Sequence, residues 1–134
     1  MMKTSAPDDH LEPAPVPLSP SNIDLLARLV RAEAQGEPYA GQVAVAAVII
    51  NRVRSPLFPD DVYSIVYQPG QFETVSSGRI NEPAEEQHFR AVLDALAGTD
   101  PTRGALFFFN PSRTKNRYMH SLPVAARIGR HTFA

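Results

Sequence analysis

Gly41-Gln42-Val43-Ala44-Val45-Ala46-Ala47-Val48-Ile49-Ile50-Asn51-Arg52-Val53 is the stretch on which the reading of this 134-residue chain turns. Its β-branched residues suit a buried strand, but the apolar and small run outlasts the usual strand length of about 5 to 6 residues, and no turn signal interrupts it. The pattern therefore predicts a central helix, apolar nearly all round and covered by the rest of the fold. Pro38, just upstream, suits the first turn of that helix, where a missing N–H breaks no intrahelical bond.

Upstream of it, Ile23, Leu26, Ala27, Val30 and Ala34 follow the 3.6-residue period of a first helix, with Ser21 or Asn22 as candidate cap and Gly36 as its stop. Downstream, Ser55-Pro56-Leu57-Phe58-Pro59 reads as a loop, and Asp60 or Asp61 can cap a short helix through Tyr67. Gln68-Pro69-Gly70-Gln71-Phe72 is a turn, and residues 73–81 read as a loop or a short hairpin turning at Ser77-Gly78. From Pro83 helix signals resume: Glu82, Glu85 and Glu86 complement the N-terminal dipole, Phe89, Val92, Leu93 and Leu96 form a stripe, and Gly98 ends it. Ala105-Leu106-Phe107-Phe108-Phe109 reads as a buried extended segment ending at Asn110-Pro111. The expected architecture is α+β, mostly helical with a small β element, in one domain over residues 21–134. Residues 1–20 hold five of the thirteen prolines and no aromatic, and so read as a disordered Pro-rich tail.

Composition narrows the chemistry. With 43% hydrophobic and 20% charged residues the chain has the make-up of a globular domain. Cys is absent, which removes disulfides, thiolate zinc sites and cysteine nucleophiles. The longest apolar run, residues 43–50, falls far short of the ~20 residues of a membrane span, so no membrane insertion is expected. The four histidines show no metal-ligand spacing, and neither a phosphate-binding glycine loop nor a GxSxG elbow is present; no metal or cofactor is assigned. Net charge is −1 but unevenly spread, since after Asp100 there are six bases and no acid. That cationic third is either a solvated face or an attractor of an anionic polymer, a nucleic acid or a carboxylate-bearing glycan. No nucleic-acid-binding motif accompanies it.

Glu33 stands in the apolar frame of the first helix beside small alanines. If it points inward, desolvation raises its pKa and keeps it protonated near neutral pH, as a general acid requires. On periodicity alone a surface carboxylate on the polar face is the simpler reading. Glu37 reads as a cap or turn residue. The amides Gln42, Asn51, Gln68, Gln71, Asn81 and Asn110 flank apolar segments, a pattern suited to hydrogen-bonding sugar hydroxyls and acetamido groups, although each taken singly suits a cap or turn.

The run from Leu26 to Val53, with Arg31-Ala32-Glu33-Ala34-Gln35-Gly36-Glu37 at its centre, closely resembles the spore cortex-lytic enzyme and cell-wall hydrolase family. Later pieces agree in order: Tyr67-Gln68-Pro69-Gly70-Gln71-Phe72, Val75-Ser76-Ser77-Gly78-Arg79-Ile80-Asn81, Gly104-Ala105-Leu106-Phe107-Phe108-Phe109-Asn110-Pro111, and Arg127-Ile128-Gly129-Arg130-His131-Thr132-Phe133. The resemblance implies a lysozyme-like, lytic transglycosylase-like domain that cleaves the β-1,4 bond between N-acetylmuramic acid and N-acetylglucosamine. It implies Glu33 as the catalytic acid and base, without a nucleophilic carboxylate; Glu73 is the residue to suspect if a second acid takes part. Gln42, Gln68, Gln71, Phe72, Ser76, Asn81, Phe109 and Asn110 are the substrate-binding candidates. The implied partner is the peptidoglycan glycan strand, attacked by a monomer at the bacterial cell wall or periplasm. Family members commonly carry tyrosine before Asn-Pro, where Phe107, Phe108 and Phe109 have no hydroxyl, so Glu33 must be oriented from elsewhere. An N-terminal export signal is not evident, which would suit a phage-type or partner-delivered enzyme.

Overall fold

The computed structural model describes residues 16–134. Helix α1 (Pro20–Ala34) is capped by Ser19, whose hydroxyl accepts the Asn22 N–H at 3.2 Å. The cap therefore lies earlier than Ser21 or Asn22, because Pro20 occupies the first helical position, where its fixed φ and missing N–H cost nothing. Val16 and Leu18 pack against the core, so chain association begins before residue 20; residues 1–15 of the expected tail lie outside the described residues. Beyond Gln35, Gly36 takes a φ of 80°, and the chain turns into α2 (Tyr39–Arg54).

Every residue of α2 from 41 to 50 is buried, as the sequence predicts for a helix that is apolar all round. Helices α1 and α5 (Glu86–Leu96) cover it and pack on one another, and α3 (Val62–Val66), capped by Asp61, closes the gap between α1 and α2. The fifth helix starts later than Pro83. Glu85 and His88 form a reciprocal cap in which the Glu85 N–H donates to His88 Nδ1 at 2.9 Å. Phe89, Val92 and Leu96 face the core, but Leu93, counted in the same stripe, is exposed.

Residues 73–81 are helical rather than a hairpin. They form α4 (Glu73–Ser76) and a 3-10 turn (Arg79–Asn81), joined through Gly78 at a φ of 83°. Three arginines tie this segment along α1. Arg28 donates to the Ile80 carbonyl at 2.8 Å, Arg79 donates to the Ala32 carbonyl at 2.8 Å, and Arg31 pairs with Glu82 at 2.6 Å.

The β element is a three-stranded antiparallel sheet of β1 (Phe108–Phe109), β2 (Ala126–Ile128) and β3 (His131–Phe133), with β3 central. Phe108 and Ala126 both lie opposite Phe133. The extended stretch expected over residues 105–109 narrows to a two-residue strand, and Leu106 and Phe107 bond the Ala134 carbonyl instead. The short helix α6 (Arg117–Ser121) and the β2–β3 hairpin had no signal in the hydrophobic pattern.

Both ends of α2 pin this sheet. At the C-terminal end Asn51 donates to the Ala105 carbonyl at 3.0 Å and Arg52 Nε to the Leu106 carbonyl at 2.7 Å. At the N-terminal end Glu37 accepts both the Arg130 N–H at 2.9 Å and Arg130 Nε at 2.8 Å. This corrects the reading of Glu37 as a local cap: it is a buried carboxylate clamping the β2–β3 turn 93 residues away. Gly129 makes the clamp possible. Its φ is 57°, and a Cβ there would lie well inside van der Waals contact with the Glu37 carboxylate. Gly129→Ala should therefore lower stability by about 1 to 3 kcal/mol, the worth of left-handed strain together with a disturbed charge-assisted bond, measured by chemical denaturation. An unchanged midpoint would show that the hairpin is held without the Glu37 clamp.

Candidate active site

A cleft of about 540 Å³ opens between the end of α1, α4, the sheet and the segment that leads into α6. Glu33, in the last turn of α1, lies on its wall, half-buried, with Glu73, Thr74 and Arg79 on one side and Glu37, Arg130 and His131 also lining it. The surface-carboxylate reading is thereby replaced, because α4 and the 3-10 turn fold over the helix face that periodicity assigns to solvent. Thr74, a residue only 4% exposed, donates its hydroxyl to Glu33 Oε2 at 2.6 Å. The arginine ties along α1 bring Thr74 there, and Arg79 at once holds the Ala32 carbonyl and adds positive charge beside Glu33.

Burial pushes the Glu33 pKa above the ordinary carboxyl value of 4.5. The Thr74 hydrogen bond and the Arg79 charge pull the other way without cancelling it, and the negative Glu73 reinforces the rise. A carboxyl group held toward its protonated form in a cleft can give a proton to a bound oxygen and take one back afterwards. Glu37 is opposite in character. Burial raises its pKa too, but the two bonds from Arg130 and the nearby His131 outweigh that and hold it below the usual range. His131 is pushed down by burial, against the pull of Glu37. Within one cleft, Glu33 suits proton transfer and Glu37 is a fixed anion committed to Arg130.

Of the substrate-binding candidates, the structure brings Gln71, Phe72, Phe109 and Asn110 to the cleft. It does not bring Gln42, Gln68, Ser76 or Asn81. Gln42 points into the packed interior, donating to the Glu37 carbonyl at 3.3 Å and to Gln87 at 3.4 Å, since its position on an all-buried helix leaves it no route to solvent. Gln68 is exposed at the end of α3, the Ser76 hydroxyl bonds the Glu73 carbonyl of its own helix, and Asn81 is exposed at the end of the 3-10 turn. Of Arg113, Lys115 and Arg117 in the cationic third, Arg113 alone lines the cleft. The residues that sequence reasoning missed are Thr74, Arg79, Arg52, Arg130 and His131. A charge inside an otherwise apolar helix was a usable signal for Arg52; Thr74 had none, because its role rests on a 41-residue crossing to Glu33.

Residues 36–134 match the sequence profile of the family described as cell wall hydrolase. The chain belongs to the cell wall hydrolase family. It is 48% identical over 119 residues to a spore cortex-lytic enzyme of Halalkalibacterium halodurans, covering 89% of this chain and 36% of that protein. The catalytic domain of the Bacillus cereus SleB protein superposes with a TM-score of 0.83 at 44% identity, over 89% of this chain and 93% of that domain. The catalytic domain of a germination-specific lytic transglycosylase, SleB of Bacillus anthracis, gives a TM-score of 0.83 at 42% identity, over 90% and 98%. The chain thus spans 36% to 44% of the length of the first curated relatives and nearly all of the solved catalytic domains. The expected mostly helical, lysozyme-like domain with a small β element is the fold these cell wall hydrolases share.

The opposing influences on Glu33 yield a signed prediction. Thr74→Val removes the donor that favours the carboxylate, so the Glu33 pKa, followed by carboxyl NMR, should move further up, whereas Thr74→Ser should leave it near the parent. Stability follows the same sign. Because the folded-state pKa exceeds the unfolded one, the wild type loses stability as pH rises from about 4.5 through the folded value. Glu33→Gln has no such loss, so its Tm should exceed that of the wild type above that window and match it below. A wild-type Tm advantage at high pH would contradict the raised pKa.

Proposed function

We propose that this chain is the catalytic domain of a lytic transglycosylase that cleaves the β-1,4 bond between N-acetylmuramic acid and N-acetylglucosamine in peptidoglycan. The observation that carries the proposal is Glu33, half-buried on the cleft wall, oriented by Thr74 and shifted toward its protonated form. The chain's likeness to the catalytic domain of SleB from Bacillus anthracis, a germination-specific lytic transglycosylase, supports it.

Glu33 donates its proton to the glycosidic oxygen as the bond from that oxygen to the muramyl C1 breaks. The positive charge that develops at C1 faces the carboxylate now formed, which the Thr74 hydroxyl and Arg79 stabilise. The carboxylate then takes the proton of the muramyl C6 hydroxyl, whose oxygen closes on C1 to give the 1,6-anhydro ring. No water is consumed, and Glu33 ends as it began. Thr74 fills the orienting role left vacant by Phe107, Phe108 and Phe109. In this reading the domain works as a monomer on glycan strands at the cell wall, without a cofactor, nucleic acid or membrane insertion.

A second reading, hydrolysis by a muramidase, draws on one observation: Glu73 also lines the cleft. Hydrolytic glycosidases use a second carboxyl group about 5 Å or ~6.5 to 9.5 Å from the first, and Glu73 is the candidate here. A third, a wall-binding or virion structural module without catalysis, draws on the missing tyrosine hydroxyls. Mass spectrometry of digested sacculi separates the first two. Anhydromuramyl ends, lighter by one water than hydrolytic ends, are expected; reducing muramyl ends alone would sink the transglycosylase. Glu33→Gln should lower turnover by at least about 10²-fold while retaining sacculus binding, and a parent that binds sacculi without cutting them would favour the third reading.

A further inference from the structure

Arg52 is a buried cation whose described partners are all neutral. Only 3% exposed, it lies in the last turn of α2 and donates Nε to the Leu106 carbonyl and Nη1 to Gln71 Oε1 at 3.3 Å. Its guanidinium packs over Phe58 at 4.7 Å, Phe107 at 5.4 Å and Phe72 at 5.8 Å from the ring centroids. Among the described residues no carboxylate pairs with it. Burial of a charge is costly unless an opposite charge compensates it, and three rings and two dipoles compensate only in part. Both Arg52 and Gln71 line the cleft.

The hydrogen-bond directions define what can bind there. Gln71 Oε1 is occupied by Arg52, which fixes the orientation of the amide and leaves its NH2 group as the free end. Guanidinium and amide therefore offer chiefly donors, the second lone pair of Gln71 Oε1 being the one acceptor left on this pair. A neutral sugar hydroxyl uses such a surface poorly, because it brings a donor as well as acceptors. A carboxylate brings acceptors only and supplies the missing negative charge.

We infer that Arg52 and Gln71 form a carboxylate-binding subsite in the cleft, which selects glycans bearing an acid group over neutral ones. The inference rests on the proposed reading of the cleft as a glycan site and adds to it the group recognised. In that substrate class a carboxylate comes from two sources, the lactyl ether of the muramyl sugar or the peptide joined to it. Gln71 lies in the turn that leads into α4, so this subsite is continuous with the wall that carries Thr74 and, through it, Glu33.

The test is a titration of the whole chain by NMR, observing the Gln71 side-chain amide and Arg52 Nε–H. The probes are N-acetylmuramic acid, its methyl ester, muramyl dipeptide and N-acetylglucosamine. The free acid should shift both signals saturably and bind about tenfold more tightly than the ester, the worth of one charge-assisted hydrogen bond. A response to muramyl dipeptide that exceeds the response to the monosaccharide acid assigns the site to the peptide carboxylate, and the reverse order assigns it to the lactyl group. Gln71→Glu supplies Arg52 with an internal carboxylate and leaves the buried arginine in place; it should bring the acid-to-ester ratio to about one. Equal responses to acid and ester, or no response to either at Gln71 and Arg52, overturn the subsite. Sacculus digestion on the same samples keeps the two claims apart: cleavage without acid preference removes the subsite alone, whereas acid preference without cleavage removes the proposed activity alone.

Discussion

A helix with apolar residues on every side stays out of water only if other elements cover each face, and α2 imposes that condition on the domain. With residues 41–50 all buried, α1, α3, α5 and the sheet are arranged as its covering. The sheet is too small to stand alone, having strands of two or three residues. It is held by a polar hook at each end of α2, from Glu37 just before its first turn to Arg130 of the β2–β3 turn and from Arg52 to the Leu106 carbonyl on the approach to β1.

The cleft is what remains between two surfaces attached to this helix pair by different means. On one side three arginines bind α4 and the 3-10 turn along α1 and set Thr74 against Glu33. On the other, the two hooks hold the sheet. Glu33 thus meets Thr74, Arg79 and Glu73 from the first of these walls while remaining half-buried, and burial raises its pKa without an ion pair among the described residues. Glu37, four residues further on, is ion-paired and fixed in its charged form. Two glutamates close in sequence differ in chemistry because one faces a hydroxyl and the other a guanidinium.

The phenylalanines before Asn110 also have a structural role. Phe107 lies over Arg52 and edges onto Phe58 and Tyr118, while Phe108 of β1 stacks on Phe72 and tilts against Phe133 of β3. Phe107 packs on the buried Arg52 and Phe108 on the sheet, and the hydroxyl that meets Glu33 is that of Thr74 on α4.

Local signals in the sequence determined most of the helical frame. An unbroken apolar run predicts α2, a 3.6-residue period predicts α1, and Asp61, Gly36 and Gly98 mark ends where backbone chemistry alone favours a cap or a turn. The same local character explains the errors, since residues 73–81 have neither helical period nor strand alternation and take their form from ties to α1, made by Arg28 and Arg31 of that helix and by their own Arg79 to the Ala32 carbonyl. For the site, sequence resemblance pointed to Glu33 and to the motifs holding Gln71, Phe72, Phe109 and Asn110, but not to which amides reach the cleft. Gln42 and Gln71 look equivalent as amides beside apolar runs; one is enclosed on an all-buried helix and the other lies on the cleft wall. Only the tertiary structure decided this, because desolvation, the Thr74 contact and the Glu37 clamp depend on pairs 41 and 93 residues apart, separations at which no local periodicity carries information.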